Sequence, residues 1–435
     1  MQVKNLEPKA PSLRARTLIP LVFLIALLPG VGWGEEPLPV GVTEVEARAA
    51  EALLDRPNAT LRVYAFRGGT FALIPFQVDE RDRRDHWVDD LGDQPVRDDH
   101  PGVFDPNDVV VFMNRDLGTK GEARMLPPGA SAWLEVRVGP PSAPLGYAYV
   151  GSFQSPPPLP RDLPEYARYD PTHDQVSADR YTLRFGGPLP TYLALGSARG
   201  ERGDNVLNAV HARGEVRILA GLFHFERSEK DLLYAIQGYR QGPVRTIRSA
   251  KYWIPLPLGF KARGRVELLF YRDFVEGRTS VNIKIPPRFI PADGEITAHI
   301  DFRDFSGARV SGPGGTLDEP IDGRMTEGKR VFAEPPVRWS ALLLPSGQTF
   351  LLAVRLEDSL QRPDQRLYLD DTTDPLRGKP AFGFRLSGVN RLDTGEQELS
   401  VNAVILDTTS PTDVSAAAGV LLQPPEVTLT LVQGP

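Results

Sequence analysis

Apolar and polar residues alternate with a period of two along most of this chain, the pattern of strands with one buried face. Thr60–Phe66 alternates in this way. Phe71–Val78 resumes the pattern after Gly68-Gly69, a pair suited to a tight hairpin turn. Val109–Met113 is instead an unbroken apolar run, as expected of a strand covered on both faces. Ala132–Val138 and Ala148–Phe153 continue the series. Beyond them, strands are predicted at Tyr181–Phe185, Glu215–Leu219, Leu222–Glu226, Leu232–Ile236, Val244–Arg248, Val266–Tyr271, Ser280–Ile285, Thr297–Phe302, Trp339–Leu344, Phe350–Val354, Ala381–Leu386, Glu398–Leu406 and Glu426–Leu431. One segment has the helical period: Val45, Ala49, Ala52 and Leu53 recur within Val42–Leu54, with Glu44 and Glu46 in the first turn.

Many short strands and no fixed-period repeat predict an all-β chain, an antiparallel β-sandwich with a smaller N-terminal β domain. Ser155-Pro-Pro-Pro-Leu-Pro is a stiff, extended stretch, and the charged residues after it to Thr172 read as loop. The expected division is a signal peptide at 1–34, an N-terminal β domain with an acidic loop at 35–154, a linker at 155–175 and a large sandwich at 176–435. The segment Gly307–Pro336 reads as a long loop or an insertion.

The first residues place the protein outside the cytoplasm. Lys4, Lys9, Arg14 and Arg16 precede the apolar run Leu18–Leu28, and Gly32-Trp33-Gly34 offers small residues for cleavage before Glu35. A periplasmic or secreted protein with no membrane span after cleavage is the expectation. The whole chain carries a net charge of −6, and without the basic leader the remainder is at −9. That acidity argues against nucleic acid as a partner. The chain has no cysteine, so disulfides, haem c attachment and a thiolate zinc site are excluded. Gly (40) and Pro (42) are frequent, yet 41% of residues are hydrophobic, which is too apolar for disorder and fits strands joined by turns.

The densest candidate chemistry is the acidic stretch that begins at Pro75-Phe76-Gln77-Val78-Asp79-Glu80-Arg81-Asp82 and runs through to Asp108. Hard cations take several oxygen ligands, so Asp79, Glu80, Asp82, Asp105 and Asp108 are the candidate set for calcium, although the spacing is not that of an EF-hand. His86 and His100 lie in the same stretch. Arg81, Arg83, Arg84 and Arg97 offer the competing reading, a loop laced by ion pairs. Sugars stack on aromatic rings carried by loops, which singles out Trp87, Tyr252 and Trp253 as ligand-binding candidates. Asn205, Asn208, His211, Tyr239, Arg240 and Arg245 are the residue types that a polysaccharide lyase needs, a base with cationic or amide partners. Their spacing alone does not select them. No Gly-x-Ser-x-Gly elbow is present.

The runs "IPFQVDERD" and "FDPNDVVVFMNRDLG" resemble a group of uncharacterised exported bacterial β-sandwich proteins, in which a strand ending in P-x-Q-V-D leads into an Asp-rich loop. That group is similar to the supersandwich proteins of polysaccharide metabolism, the galactose-mutarotase-like and polysaccharide-lyase class. "YRQGPVRTIRS" (Tyr239–Ser249) resembles a strand pair of the same class. The resemblance implies a supersandwich-like fold. It assigns no catalytic residue, and Val109-Val110 stand where the group often has an acidic residue. These readings together predict a non-catalytic exported protein that binds carbohydrate or another cell-envelope component. The alternatives are a polysaccharide-active enzyme, lyase or epimerase-like, and an accessory subunit of an envelope complex.

Overall fold

The period-two alternation is realised as antiparallel strands arranged in five sheets. The computed structural model describes residues 40–434 apart from Pro141 and the segments 197–201, 219–222, 256–260, 284–293, 357–363, 373–378 and 392–393; the expected leader at 1–34 lies outside the described residues. Among the described residues no helix is long and apolar enough to cross a membrane.

A nine-stranded sheet forms the middle of the molecule. Across it run Leu233–Gln241, Thr246–Pro255, Lys261–Phe270, Phe274–Ile283, Gly395–Leu406, Thr349–Leu356, Trp339–Leu343, Arg309–Gly312 and Gly315–Pro320. Successive side chains on a strand point to opposite faces, so both faces of this sheet are apolar. Leu342, Phe350, Leu352 and Ile405 enter one core, while Leu343, Leu351, Val404 and Leu406 enter another.

The first core is closed by two five-stranded sheets. One is ordered Arg202–Asn205, Pro190–Gly196, Tyr181–Phe185, Gln175–Ala178 and Ala167–Asp170. The other, here called the histidine sheet, is ordered Phe223–Ser228, Leu207–Ile218, Glu295–Phe302, Ala381–Ser387 and Asp364–Asp370. The second core is closed by the helix Pro411–Leu422 and by a three-stranded sheet of Val42–Glu46, Val109–Met113 and Gln77–Asp79.

The three-stranded sheet is itself covered on its far side. Val45, Val110 and Phe112 pack against Leu61, Val63, Leu134, Val136 and Val150 of a third five-stranded sheet. Its order is Val427–Val432, Ala130–Val138, Gly146–Phe153, Leu61–Arg67 and Thr70–Leu73. All five residues of Val109–Met113 are buried, which is why that strand reads as an unbroken apolar run. The strand Val427–Val432 thus completes the sheet built by residues 61–153.

Three local readings differ from the structure. Val42–Leu54 is not a helix: Val42–Glu46 is a strand paired with Met113–Val109, followed by the 3-10 turns Ala47–Ala49 and Glu51–Leu53. The buried strand needs partners for its peptide groups, and the β-branched Val42, Thr43 and Val45 suit the task. Phe71–Val78 divides at Pro75, which cannot donate to a ladder, so Thr70–Leu73 and Gln77–Asp79 belong to different sheets. Within the expected loop, Ala167–Asp170 is a strand paired with Gln175–Ala178.

The segment Gly307–Pro336 holds the hairpin Arg309–Gly312/Gly315–Pro320 and the helix Glu327–Ala333. The second helix, Pro411–Leu422, starts at Ser410, whose hydroxyl accepts from Asp413 N at 3.3 Å. Its Val414, Ala417, Ala418 and Leu421 face the core at helical spacing.

Phe112 tests the layered packing, because it is fully buried between two sheets. Phe112→Ala is expected to cost about 3–5 kcal/mol, measured from the midpoint of chemical denaturation. A loss below about 1 kcal/mol would contradict a closely packed middle layer.

Candidate functional site

Two of the stretches that carry the resemblance, IPFQVDERD and YRQGPVRTIRS, meet in the folded chain. Gln77 accepts from Val244 N at 2.9 Å and Arg245 N at 2.8 Å, and its amide donates to both oxygens of Asp79. Arg245, with no exposed surface, donates through Nε to Asp79 at 2.8 Å and through Nη1 to Tyr271 Oη at 2.7 Å and to Glu44. Arg240 pairs with Asp79 at 3.2 Å and donates to Val78 O at 2.8 Å. A Cβ at Gly242 would lie 2.2 Å from the Gln77 amide oxygen, so only glycine lets the two segments approach. Burial would raise the Glu44 carboxyl, but Arg278 and Arg245 overcome that and hold it well below the ordinary carboxylate range.

The five proposed calcium ligands are spread through this network rather than gathered round one point. Asp79 is committed to Gln77, Arg240 and Arg245. Glu80 accepts from Asn58 Nδ2 at 2.9 Å and from Gly102 N. Asp82 accepts from Arg84 N and His86 N at 2.8 and 3.0 Å. Asp105 faces His100 Nδ1 at 3.5 Å, and Asp108 accepts from Arg81 N and Asp105 N, both at 3.1 Å. Among the described residues no three of these carboxylates bring oxygens within 4.8 Å of one another. The loop also caps an edge: Leu91 pairs with Tyr239, and Gln94 N donates to Gln237 O, on the outermost strand of the nine-stranded sheet.

The three proposed stacking rings are also apart. Trp87 is 1% exposed and lies between the Arg81 and Arg245 guanidinium groups, 4.1 and 4.5 Å from its ring. It is a buried cation–π partner, not an exposed platform. Tyr252 lies over Gly264 and donates to Ser280 O at 3.0 Å. Trp253 is its neighbour on one strand and so points to the opposite face.

A different cluster emerges on the histidine sheet. Phe302, Leu367, Leu369, Phe382 and Phe384 turn one face into the core, and the alternate positions line the other. In register across that second face stand His211, His299, Gly383 and Tyr368. Gly383 has no side chain to separate its neighbours, and a Cβ there would meet Ala298 O at 2.1 Å. The His299 and Tyr368 rings therefore close over it and stack, 4.3 Å between centroids and 14° between planes.

Asp301 lies two residues beyond His299 on the same face. Its Oδ2 is 3.1 Å from His211 Nε2, and its Oδ1 is 3.6 Å from His299 Nε2. His211 Nδ1 meets Glu229 Oε1 at 3.2 Å. Asp370 pairs with Ala381 in the Asp301 row, while Arg213, Thr297, Arg385 and Arg366 form the row on the other side of the histidines.

His211 is one candidate among several in the sequence, and His299 falls inside the predicted strand Thr297–Phe302. Their partnership spans strands far apart in the chain. The available signal was the repeated pattern His299-Ile-Asp301 and Tyr368-Leu-Asp370, which puts two polar groups on one face of a strand.

No protein-family model and no curated protein matches this chain. Among solved structures it is similar to an alpha-mannosidase from Enterococcus faecalis V583, at 8% identity and TM-score 0.45, over 90% of this chain and 44% of that one. It is also similar to an alpha-N-acetylgalactosaminidase, NagBb, from Bifidobacterium bifidum, at 10% identity and TM-score 0.36, over 61% and 39%. A Glycoside Hydrolase Family 97 enzyme from Pseudoalteromonas sp. strain K8 matches at 10% identity and TM-score 0.28, over 56% and 36%. The chain spans less than half the length of each of these three proteins.

Two measurements probe the buried node and the acidic loop. Arg245→Met leaves Asp79 and Glu44 without their shared cation and is expected to cost about 3–5 kcal/mol, read by chemical denaturation. Asp108 tests the acidic loop. Burial, with the nearby charges of Asp105 and Asp98 adding to it, pushes its carboxyl up to about 7 against two backbone hydrogen bonds that favour ionisation. The folded state therefore holds this proton more tightly than the unfolded chain. Its contribution is full below the ordinary Asp value and is lost as pH rises through about 7. Asp108→Asn should accordingly be less destabilising at pH near 8 than at pH near 4, a difference in which pH-independent losses cancel.

Proposed function

We propose that this protein is exported and binds carbohydrate on the polar face of the histidine sheet. The observation that carries the reading is the row His211, His299 and Tyr368 over Gly383, flanked by carboxylates on one side and by Arg366 and Arg385 on the other. A polyhydroxylated ligand needs many hydrogen-bond partners of both signs on a rigid surface, and strands supply it better than loops. His211 keeps 35% of its side-chain surface exposed, against 15% for His299, so this end of the row meets solvent. Such a site is compatible with a non-catalytic binder of saccharide.

The second reading is a polysaccharide-active enzyme, lyase or epimerase-like. It is favoured by the same convergence, because His211 is placed to take a proton while Arg366 or Arg385 neutralises a sugar carboxylate. Product analysis on any glycan that binds separates the two readings.

The test is a glycan array probed with the chain from Glu35 onward. Selective binding is expected, with Tyr368→Ala weakening it by about tenfold or more, the effect of one lost anchor of ~1.4 kcal/mol. Trp253→Ala is expected to leave it unchanged. Absence of binding by the unmodified chain would overturn the carbohydrate reading.

A further inference from the structure

The contacts of His211 contain a conflict that a proton or a cation must resolve. Both its ring nitrogens face carboxylate oxygens, Glu229 Oε1 at 3.2 Å and Asp301 Oδ2 at 3.1 Å. A neutral imidazole has one N–H, and an ionised carboxylate only accepts. One of the two contacts therefore sets lone pair against lone pair. His299 adds to the conflict: its Nε2 is 3.6 Å from Asp301 Oδ1, too far for a hydrogen bond, and that oxygen is buried with no partner.

We propose that His211 Nε2, His299 Nε2 and Asp301 hold a divalent transition-metal ion, for which zinc is the fitting probe. The donor atoms of the three residues all lie within 4.8 Å of one another. Zinc with bonds of about 2.0–2.1 Å sets tetrahedral donors roughly 3.4 Å apart, so small side-chain rotations close the site. Two imidazoles and one carboxylate select transition metals over calcium or magnesium, which favour all-oxygen sets.

The backbone holds these donors firmly. His211 and His299 are directly opposed in register, and Asp301 follows on the same face of the same strand. Glu229 is the outer partner, accepting from His211 Nδ1 and from Ala212 N at 3.2 Å, which fixes the tautomer with Nε2 free for the metal. Three protein ligands leave a coordination position for water or for a hydroxyl or carboxylate oxygen of a ligand. The inference rests on the donor geometry and stands whether or not this face takes a saccharide.

The deciding experiment is a titration of the chelator-treated full chain with Co2+, followed by visible absorption and then by displacement with Zn2+, with no glycan present. One ion per chain is expected, with the absorption of a low-coordinate nitrogen and oxygen site. His299→Ala and Asp301→Asn should abolish the band, and His173→Ala, an exposed histidine elsewhere, should leave it intact. Glu229→Gln lies outside the donor set and keeps the test decisive if a donor variant fails to fold; it should weaken binding by about 10–100-fold. No stoichiometric uptake, or uptake unchanged in both His299→Ala and Glu229→Gln, would overturn the proposal and leave a protonated His211 to resolve the contacts. Because no sugar enters the assay, its failure is distinct from failure of the glycan array.

Discussion

The layers of this molecule are tied together by a buried guanidinium. Arg245 sits in the turn that leads into Thr246–Pro255 of the nine-stranded sheet, yet its partners Asp79 and Glu44 belong to the three-stranded sheet stacked against it. Burying one charge alone is prohibitive, so the sheets must arrive in the register that brings cation and carboxylates together. Gln77 enforces the same register through the backbone by accepting from two consecutive N–H groups. Trp87 then covers the arginine and excludes water from the ion pairs. Apolar packing between layers tolerates sliding more easily than this directional set of bonds does.

That node explains what the sequence could and could not convey. Alternation identified most strands because it reports burial of one face, and the unbroken run Val109–Met113 correctly announced a strand covered twice. What alternation cannot report is the partner. Val42–Leu54 has a helical spacing of apolar residues, but over Val42–Glu46 the demand of the neighbouring strand for hydrogen bonds prevails. The signal for the helix Pro411–Leu422 was present in Ser410-Pro-Thr-Asp, a capping residue with proline just inside the start.

The acidic loop invited a metal reading for an understandable reason. Charge spacing along a chain does not reveal that Arg240 and Arg245, more than 150 residues later, both pair with Asp79. The resemblance was carried by those very segments, and in this chain they build a structural clamp. The histidine cluster was hidden in the opposite way. Each of its members looks ordinary in its own strand, and only cross-strand register places His211 beside His299 and lets Gly383 admit a stacked tyrosine.

The position of Val427–Val432 beside Ala130–Val138 has a consequence for how the chain is assembled. The sheet whose other strands lie within residues 61–153 gains its outermost strand only after residues 154–426 have been made. Until then the strand Ala130–Val138 presents an open row of peptide groups, a template for pairing with the wrong chain. Closing so long a loop makes this pairing one of high contact order, hence slow. A cell that makes this protein must keep that edge guarded until residues 427–432 have been made.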